Sequence, residues 1–316
     1  MTDPLTPDPG DPFAASAIAP ETARFNAELE ATLAAFPRPE TIDPQITRAA
    51  RREGRGLFPE TGPLEGSAWR DPEGTPGRLR LSPPPSPPRG RVLHFHGGGW
   101  TFGAPDIEDP GCQRLAALAG VEVYSARYLL GPEHPWPAPA DDAEAAALRL
   151  LEAADGPIVL KGESAGAHLA AVTLLRLAKR GEAHRVAGAV LTYGMYDLRM
   201  TPSMRNWGER FLVLSTPTVA WFAENLLGGH DPADPDASPL LAPLPDGLPP
   251  ALFTVGTADP LIDDTLFMTA RWRAAGGEAV LAVVPGGVHA FDAFDLAIAR
   301  EAQDRAARFV QACFAG

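Results

Sequence analysis

A serine between two glycines stands where a strand-like run meets a helical pattern, and such a serine could act as a nucleophile. The segment Gly162-Glu163-Ser164-Ala165-Gly166 follows the apolar residues PIVL and precedes an amphipathic helical pattern. A sharp turn at this junction needs small residues beside the serine, because the strand and the helix approach each other closely. The string alone is common, and its context makes it informative. Ser164 is therefore the candidate nucleophile, with capping of the helix as the alternative role.

A serine hydroxyl becomes an effective nucleophile only when a neighbouring base accepts its proton. Most of the seven histidines fall within a strand, a glycine run, a proline-rich turn, a helix or a surface loop: His94, His96, His134, His168, His184 and His230. His289 instead follows the last predicted strand and precedes the last helix. A loop in that place can reach Ser164 across the carboxyl ends of the strands, so His289 is the expected base.

A carboxylate is needed to orient the imidazole, and three aspartates follow the preceding strand. Asp259, Asp263 and Asp264 lie in the segment ADPLIDD. Asp259 comes first after the strand and is restrained by Pro260, whereas Asp263 is suited to a solvated position or to capping the next helix. Asp259 is therefore the expected acid. The order serine, aspartate, histidine along the chain is that of α/β-hydrolases and differs from the chymotrypsin and subtilisin orders.

Three consecutive glycines follow an earlier strand, directly after His96. Attack on an acyl carbon creates an oxyanion, which needs hydrogen-bond donors already aimed at it. Gly98 and Gly99 are predicted to supply two backbone N–H groups of this oxyanion hole, Ala165 a third, and Gly97 conformational freedom. A phosphate-binding loop would need a different glycine spacing and a lysine after the run. His96 is expected to hold the loop by hydrogen bonds.

Strands alternate with helical patterns from residue 91 to the C-terminus. This alternation predicts βαβ units, a mostly parallel central sheet and helices on both faces. The apolar strand-like runs fall at 91–95, 121–126, 157–161, 187–193, 250–255 and 278–284.

Two other regions are predicted to cover this core with helices. Helical patterns occur at 21–36 and 43–53, and an irregular stretch with helical pieces occupies 197–248. The expected organisation is an N-terminal cap segment at 1–50 with about 20 flexible residues at its start, core at 51–196, a cap insertion at 197–235, and core again at 236–316.

The composition limits the partners of the chain. It has 316 residues, with 40 acidic and 27 basic side chains and a formal net charge of −13. This charge disfavours binding to nucleic acid or to an anionic membrane, and it suits a neutral or cationic small-molecule substrate better than an anionic one, with a neutral ester expected. No apolar stretch is long enough to span a bilayer and the start is unlike a secretory signal, so a cytoplasmic location is expected. Cys112 and Cys313 lack metal-like spacing and are expected to be buried, inert thiols.

Five motifs together resemble the hormone-sensitive-lipase-like group of α/β-hydrolase esterases, the bacterial HGGG carboxylesterases. They are HGGGW at 96–100, YLLGPEHPWPAPADD at 128–142, GESAG at 162–166, DPLIDD at 259–264 and GGVHAF at 286–291. The resemblance implies hydrolysis of short-chain acyl esters by the serine, histidine and aspartate, through an acyl-enzyme and without a metal or a cofactor. It also implies a cap over the acyl pocket, and it leaves a homodimer open. Trp100 is expected to line that pocket. Bulky apolar residues of the cap segment could line it as well or form the core of the cap: Trp207, Phe211, Trp221 and Phe222.

Two other functions stay open at this point. Arylformamidases are similar in the His-Gly-Gly-x-Trp run and in the His-Leu-Ala after the elbow, but the PEHPWPAP and DPLIDD segments favour the esterase. A catalytically inactive receptor on the same fold would typically lack one of the three candidate catalytic residues, and this chain has all of them. Glu163 stands where the group has aspartate or threonine, which leaves the chemistry unchanged but the substrate preference open.

Overall fold

A computed structural model of the protein describes residues 10–58, 61–71, 74–154 and 156–315. Its centre is a sheet of eight strands in the order β1-β2-β4-β3-β5-β6-β7-β8. The first two strands run antiparallel to their neighbours and the other six are parallel, which confirms the predicted mostly parallel sheet. The strands are β1 Ala68–Trp69, β2 Leu79–Ser82, β3 Arg91–Phe95, β4 Glu122–Ala126, β5 Ile158–Glu163, β6 Val186–Thr192, β7 Ala251–Ala258 and β8 Ala279–Val288.

Nine α-helices lie within the described residues, and none of these helices is long and apolar enough to cross a membrane. They are α1 Pro20–Leu33, α2 Pro44–Arg52, α3 Asp109–Ala119, α4 Ala138–Glu152, α5 Ala165–Lys179, α6 Pro202–Trp207, α7 Thr216–Leu227, α8 Ile262–Ala274 and α9 Ala297–Cys313. Short 3-10 helices occupy Ala15–Ala17, Pro39–Thr41, Ala183–Arg185 and Phe291–Ala293. The flexible start expected from the sequence falls partly on residues 1–9, which lie outside the described residues.

Helices cover both faces of the sheet because its strands are apolar on both sides. Successive residues of a strand point to opposite faces, so Ile158 and Leu160 of β5 pack with α4 and α5, while Val159 packs with α3 and α9. All three side chains are fully buried. The loop that carries Ser164 thus leaves the sheet from a strand that is fixed on two sides.

The two cysteines belong to the layer formed by α3 and α9. Cys112 is buried and Cys313 is partly buried. Burial raises the pKa of the Cys112 thiol to about 12 and that of Cys313 to about 11, so both thiols stay protonated near neutral pH.

The N-terminal helices contact both the insertion at 197–235 and the loop that follows β3. Arg210, in the insertion, donates two hydrogen bonds to the carboxylate of Glu30 in α1, at 2.7 and 2.9 Å. Arg48 of α2 donates to the carbonyl of Thr101, two residues beyond the glycine run, at 2.8 Å. These contacts hold the N-terminal segment near the candidate site, while the division into cap and core remains a prediction.

Candidate active site

The turn between β5 and α5 places Ser164 in a rare backbone conformation, with φ 55° and ψ −119°. A non-glycine residue in such a region costs about 1–3 kcal/mol and is typical of functional turns. The glycines on either side have a steric reason. A Cβ at position 162 would lie 2.2 Å from the backbone of Gly166, and a Cβ at position 166 would lie 1.9 Å from the carbonyl oxygen of Phe95. The close approach expected from the sequence is present.

The loops after β5, β7 and β8 bring the three expected side chains together. The hydroxyl of Ser164 lies 2.9 Å from Nε2 of His289, and Nδ1 of His289 lies 2.9 Å from Oδ2 of Asp259. Because a carboxylate only accepts, Nδ1 carries the proton and Nε2 is free to accept the serine proton. The other oxygen of Asp259 accepts from the N–H of Leu261 at 2.8 Å. Asp259 and His289 are 1% and 4% exposed, so water competes little for these bonds.

The other two aspartates of this loop have structural partners. Asp263, considered as a cap for α8, accepts a hydrogen bond from the N–H of Ser203 in a distant segment at 2.8 Å. Asp264 is buried and accepts from the N–H groups of Tyr196 and Asp197 and from a threonine hydroxyl. Burial raises the pKa of Asp264 to about 7, although these donors stabilise its ionised form. Of the three, the structure brings only Asp259 to the imidazole.

The glycine run makes a tight turn beside the serine. Gly98 and Gly99 have φ of 116° and 58°, and a Cβ on them would lie 2.5 Å from the Phe102 carbonyl oxygen and 2.4 Å from the Phe222 ring. Conformational freedom is therefore needed at these two positions rather than at Gly97, where it was expected. At Gly97 the requirement is close approach, because a Cβ would lie 3.2 Å from the carbonyl oxygen preceding the serine.

Three backbone donors near Ser164 are left unused. Within the described ranges, the N–H groups of Gly98, Gly99 and Ala165 have no hydrogen-bond acceptor. Ala165 is the first residue of α5, where an N–H has no partner inside the helix. A free N–H at a helix start, as at Ala165, favours negative charge, and an oxyanion hole formed by all three N–H groups remains a prediction.

His96 makes the hydrogen bonds expected of it. Its Nδ1–H donates to the carbonyl of Gly97 at 2.8 Å, and its ring stacks on Tyr128 with 4.2 Å between centroids. The hydroxyl of Tyr128 donates to the carbonyl of His96 at 2.7 Å. Burial lowers the pKa of His96 to about 3, so the ring is neutral and serves the loop structurally.

Trp100, expected to line the substrate pocket, is instead buried in the core. Its indole N–H donates to Nδ1 of His168 at 3.1 Å, and Nε2–H of His168 donates to the carbonyl of Ala237 at 2.7 Å. Burial lowers the pKa of His168 to about 4. This chain of contacts fixes the end of the glycine run to α5. No local sequence pattern indicates it, because the partners are nearly 70 residues apart.

The remaining pocket candidates lie in the insertion. Phe211 faces a groove of about 290 Å³ that it shares with Leu33 and Phe36 of the N-terminal segment. Trp207 is partly buried and donates to a nearby backbone carbonyl at 2.9 Å. Trp221 packs against Phe222, with 5.3 Å between ring centroids. That these three aromatic side chains of the insertion line a substrate pocket remains a prediction.

A polar cluster beneath the nucleophile was also missed. Glu163 accepts a hydrogen bond from Nε2 of His94 at 2.7 Å and forms an ion pair with Lys161. Glu108 and Cys112 line the adjoining cavity of about 30 Å³, which is large enough for a water molecule. The signal was present in the sequence, because two charged residues two positions apart in a buried strand lie on the same face.

We expect the free energy of unfolding to fall as the pH drops from about 6.5 towards 4. Unfolded His96 and His168 take up protons near their ordinary pKa, whereas the folded rings stay neutral to about pH 3 and 4. At these two positions the unfolded state then binds more protons, and each histidine lowers the unfolding free energy by about 1.4 kcal/mol per pH unit. Asp264, with its pKa raised to about 7, acts in the opposite direction over this range and offsets the effect of one histidine. Urea unfolding at pH 7, 6 and 5 measures this slope.

The control for this prediction is an exposed histidine. His168→Gln should reduce the slope of the unfolding free energy against pH by the contribution of about one bound proton. His184→Gln changes a surface residue and should leave that slope unchanged. Equal slopes in the native protein and both variants would contradict the prediction.

Comparison with known proteins identifies the family. The sequence model of a protein family with the α/β-hydrolase fold matches residues 92–293 of this chain. The carboxylic ester hydrolase LipN of Mycobacterium tuberculosis is 35% identical over 213 residues, which cover 63% of this chain and only 56% of LipN. The ethyl acetate hydrolase of Pseudomonas putida is 32% identical over 232 residues, covering 70% of this chain and 73% of that enzyme.

Solved structures agree with this assignment. The esterase of Pyrobaculum calidifontis has a TM-score of 0.82 and 29% identity, covering 93% of this chain and 98% of that one. A hormone-sensitive lipase from a metagenome library has a TM-score of 0.84 and 26% identity over the same shares. This chain therefore belongs to the α/β-hydrolase family, and the resemblance to its hormone-sensitive-lipase-like esterases is confirmed.

Proposed function

We propose that the protein is a serine carboxylesterase that hydrolyses short-chain acyl esters through an acyl-enzyme intermediate. The observation that carries this proposal is the continuous hydrogen-bond chain from Ser164 through His289 to Asp259. A strained serine on a strand-to-helix turn, a singly protonated imidazole and a buried carboxylate form the arrangement that activates a hydroxyl for acyl transfer.

In the first half-reaction, His289 removes the proton of Ser164 while Oγ attacks the ester carbonyl. The imidazole becomes a cation, and the adjacent carboxylate of Asp259 stabilises that charge and keeps Nδ1 protonated. His289 then gives the proton from Nε2 to the leaving alkoxide. The alcohol departs and the acyl group stays on the serine oxygen.

The carbonyl oxygen becomes an anion in the transition state and needs donors already in place. The proposed donors are the N–H groups of Gly98, Gly99 and Ala165, which have no acceptor among the described residues; Gly97, next to Gly98, lies close to the serine, and the glycines carry no side chain. Donors fixed by a folded loop need little reorganisation during the reaction, which makes such stabilisation large. Removing one donor of this kind costs about 10²–10³ in kcat.

In the second half-reaction, water replaces the alcohol. His289 accepts a proton from water as the water oxygen attacks the acyl carbon. The tetrahedral intermediate then collapses, the bond between the acyl carbon and Oγ of Ser164 breaks, and His289 gives the proton to Oγ as the acid leaves. Every step described here uses side chains and amides of this chain.

The proposed substrates are small and uncharged. Among the relatives are an ethyl acetate hydrolase of Pseudomonas putida and an acetyl-hydrolase of Streptomyces hygroscopicus, whose names indicate short acyl groups. The net charge of −13 disfavours anionic esters. A bulky aromatic insertion next to the site also favours a compact acyl pocket.

A chain-length series tests the acyl preference. We expect kcat/KM for nitrophenyl esters to be highest between acetate and butyrate and to fall at least about tenfold by dodecanoate, because a compact pocket cannot bury the added methylenes, each worth about 0.8 kcal/mol when buried. A rate that keeps rising to dodecanoate would contradict the short-chain preference.

A second substrate tests the alternative function. Turnover of a formanilide is measured beside that of the ester, and faster turnover of the formamide would favour an arylformamidase.

A further inference from the structure

Tyr193 lies directly against the imidazole of the proposed triad. It follows the last residue of β6, and its ring centroid is 4.7 Å from that of His289, with the planes at 60°. The ring is buried, with 3% of the residue exposed. Both nitrogens of His289 are used by Ser164 and Asp259. The phenol ring is therefore the contact that limits the tilt of the imidazole out of this hydrogen-bonded plane.

The hydroxyl of Tyr193 is itself held in place. It donates to Oδ1 of Asp292, three residues after His289 in the same loop. The backbone N–H of Tyr193 donates to the carbonyl of Thr254 in β7 at 2.7 Å. The tyrosine is thus fixed at both ends, to the neighbouring strand and to the segment that carries the base.

Backbone strain marks the same position. Among the described residues, six that are not glycine have positive φ. Three of them are Ser164, Ala290 beside the base, and Trp100 after the glycine run; Tyr193, with φ 39°, is the fourth at this site. Strain in a bulky residue persists only where surrounding contacts enforce it, and it gathers at functional sites. At Tyr193 this strain occurs in the residue whose aromatic ring packs against His289.

We infer that Tyr193 is a positioning residue for His289. Asp292 anchors the phenol, and the face of the tyrosine ring stabilises the imidazolium formed during catalysis. This inference rests on the proposed function and adds a residue to it. An aromatic face attracts a cation within about 6 Å of its centroid, most strongly where water is excluded. The hydrogen bond to Asp292 holds the phenol ring in this position.

Other charges surround this pair and affect the same imidazolium. Asp259 contacts the ring directly, and Asp292 lies behind the phenol. Burial raises the pKa of the Tyr193 phenol, and the charges of Asp292, Asp259 and Glu108 raise it further. Burial lowers the pKa of Lys161, which Asp292 opposes. Both variants below remove the phenol donor to Asp292 and leave Asp259, Glu108 and Lys161 in place, so the difference between their pH profiles reports on the tyrosine ring.

Two substitutions separate the hydroxyl from the ring. Tyr193→Phe keeps the ring and loses the anchor, so we expect kcat/KM for nitrophenyl butyrate to fall about threefold with little change in the acid limb of its pH profile. Tyr193→Leu removes the ring face, so we expect a loss of about tenfold or more and a shift of the acid-limb midpoint to lower pH by about 0.5 unit. The shift is downwards because the protonated imidazole loses a stabilising contact.

The matched control is Tyr196→Phe. Tyr196 is also buried, three residues along, but its hydroxyl makes no hydrogen bond to a side chain among the described residues, and its ring packs on Phe253. This variant should keep the native rate and midpoint. Rates are divided by the folded fraction from circular dichroism. The inference is overturned if Tyr193→Leu lowers the rate without moving the midpoint, or if the two phenylalanine variants behave alike.

A failure of the proposed function is recognisable separately. The native protein must hydrolyse nitrophenyl butyrate and must be labelled by a fluorophosphonate at Ser164. If it does neither, the esterase proposal fails. If it does both and the tyrosine variants match the control, only the role of Tyr193 is wrong.

Discussion

Replacing Ser164 by alanine is expected to lower the hydrolysis of nitrophenyl butyrate by at least about 10⁴-fold. Without Oγ no acyl-enzyme forms, and the imidazole of His289 loses the hydroxyl from which it takes a proton. The free amides can still polarise a bound carbonyl, so a small residual rate above that of water is expected. Steady-state rates of the purified variant measure the loss.

The control for this experiment is a serine away from the site. Ser86 is exposed in the proline-rich segment before β3, and Ser86→Ala should retain full activity. A fluorophosphonate should label the native protein and Ser86→Ala but not Ser164→Ala. Near-native turnover by Ser164→Ala would remove the nucleophile from the proposal and with it the acyl-enzyme.

The second large effect is expected from Asp259→Asn, which should reduce kcat by about 10³- to 10⁴-fold at pH 7. An asparagine amide can donate to Nδ1 of His289, where the carboxylate now accepts at 2.9 Å. The proton of the neutral imidazole then moves to Nε2, which can no longer accept from the serine. The imidazolium also loses its counter-charge. Because asparagine has nearly the same shape, folding should be little affected, and thermal unfolding checks this.

The neighbouring aspartate provides the matched comparison. Asp263 accepts from the N–H of Ser203, a bond that an asparagine oxygen can also accept. Asp263→Asn should therefore leave the rate nearly unchanged. If both variants lost activity equally, or if only Asp263→Asn lost it, the assignment of the acid to Asp259 would be wrong. This pair of variants therefore tests whether Asp259 or Asp263 of the segment ADPLIDD is the acid.

Some features of the site depend on local sequence and could be predicted without coordinates. A serine between glycines, after an apolar run and before a helical pattern, predicts a strand-to-helix turn. Such a turn needs glycine at 162 and 166, because a Cβ there would collide with the backbone of Gly166 and of Phe95 respectively. Parallel strands end at one edge of their sheet, so Ser164, Asp259 and His289, each placed after a strand, were expected on one side of the molecule. That expectation needed no knowledge of the strand order.

Other features depend on which strands become neighbours. Trp100 looks like a pocket residue in the sequence, but its hydrogen bond to His168 holds it in the core. Tyr193 carries no motif at all, and only the position of β6 between β5 and β7 brings its ring to His289. The pairing of Glu163 with His94 likewise requires β3 and β5 to lie side by side.

The sequence by itself determined which residue types are available for chemistry in this protein, in what order they occur, and on which kind of turn they lie. The tertiary structure decided which of them touch, because contacts between residues 68 to 125 positions apart are set by strand order and helix packing, which no local pattern contains. Local steric requirements act within a few residues of the chain, whereas the hydrogen bonds that orient a base come from segments brought together when the whole core is buried.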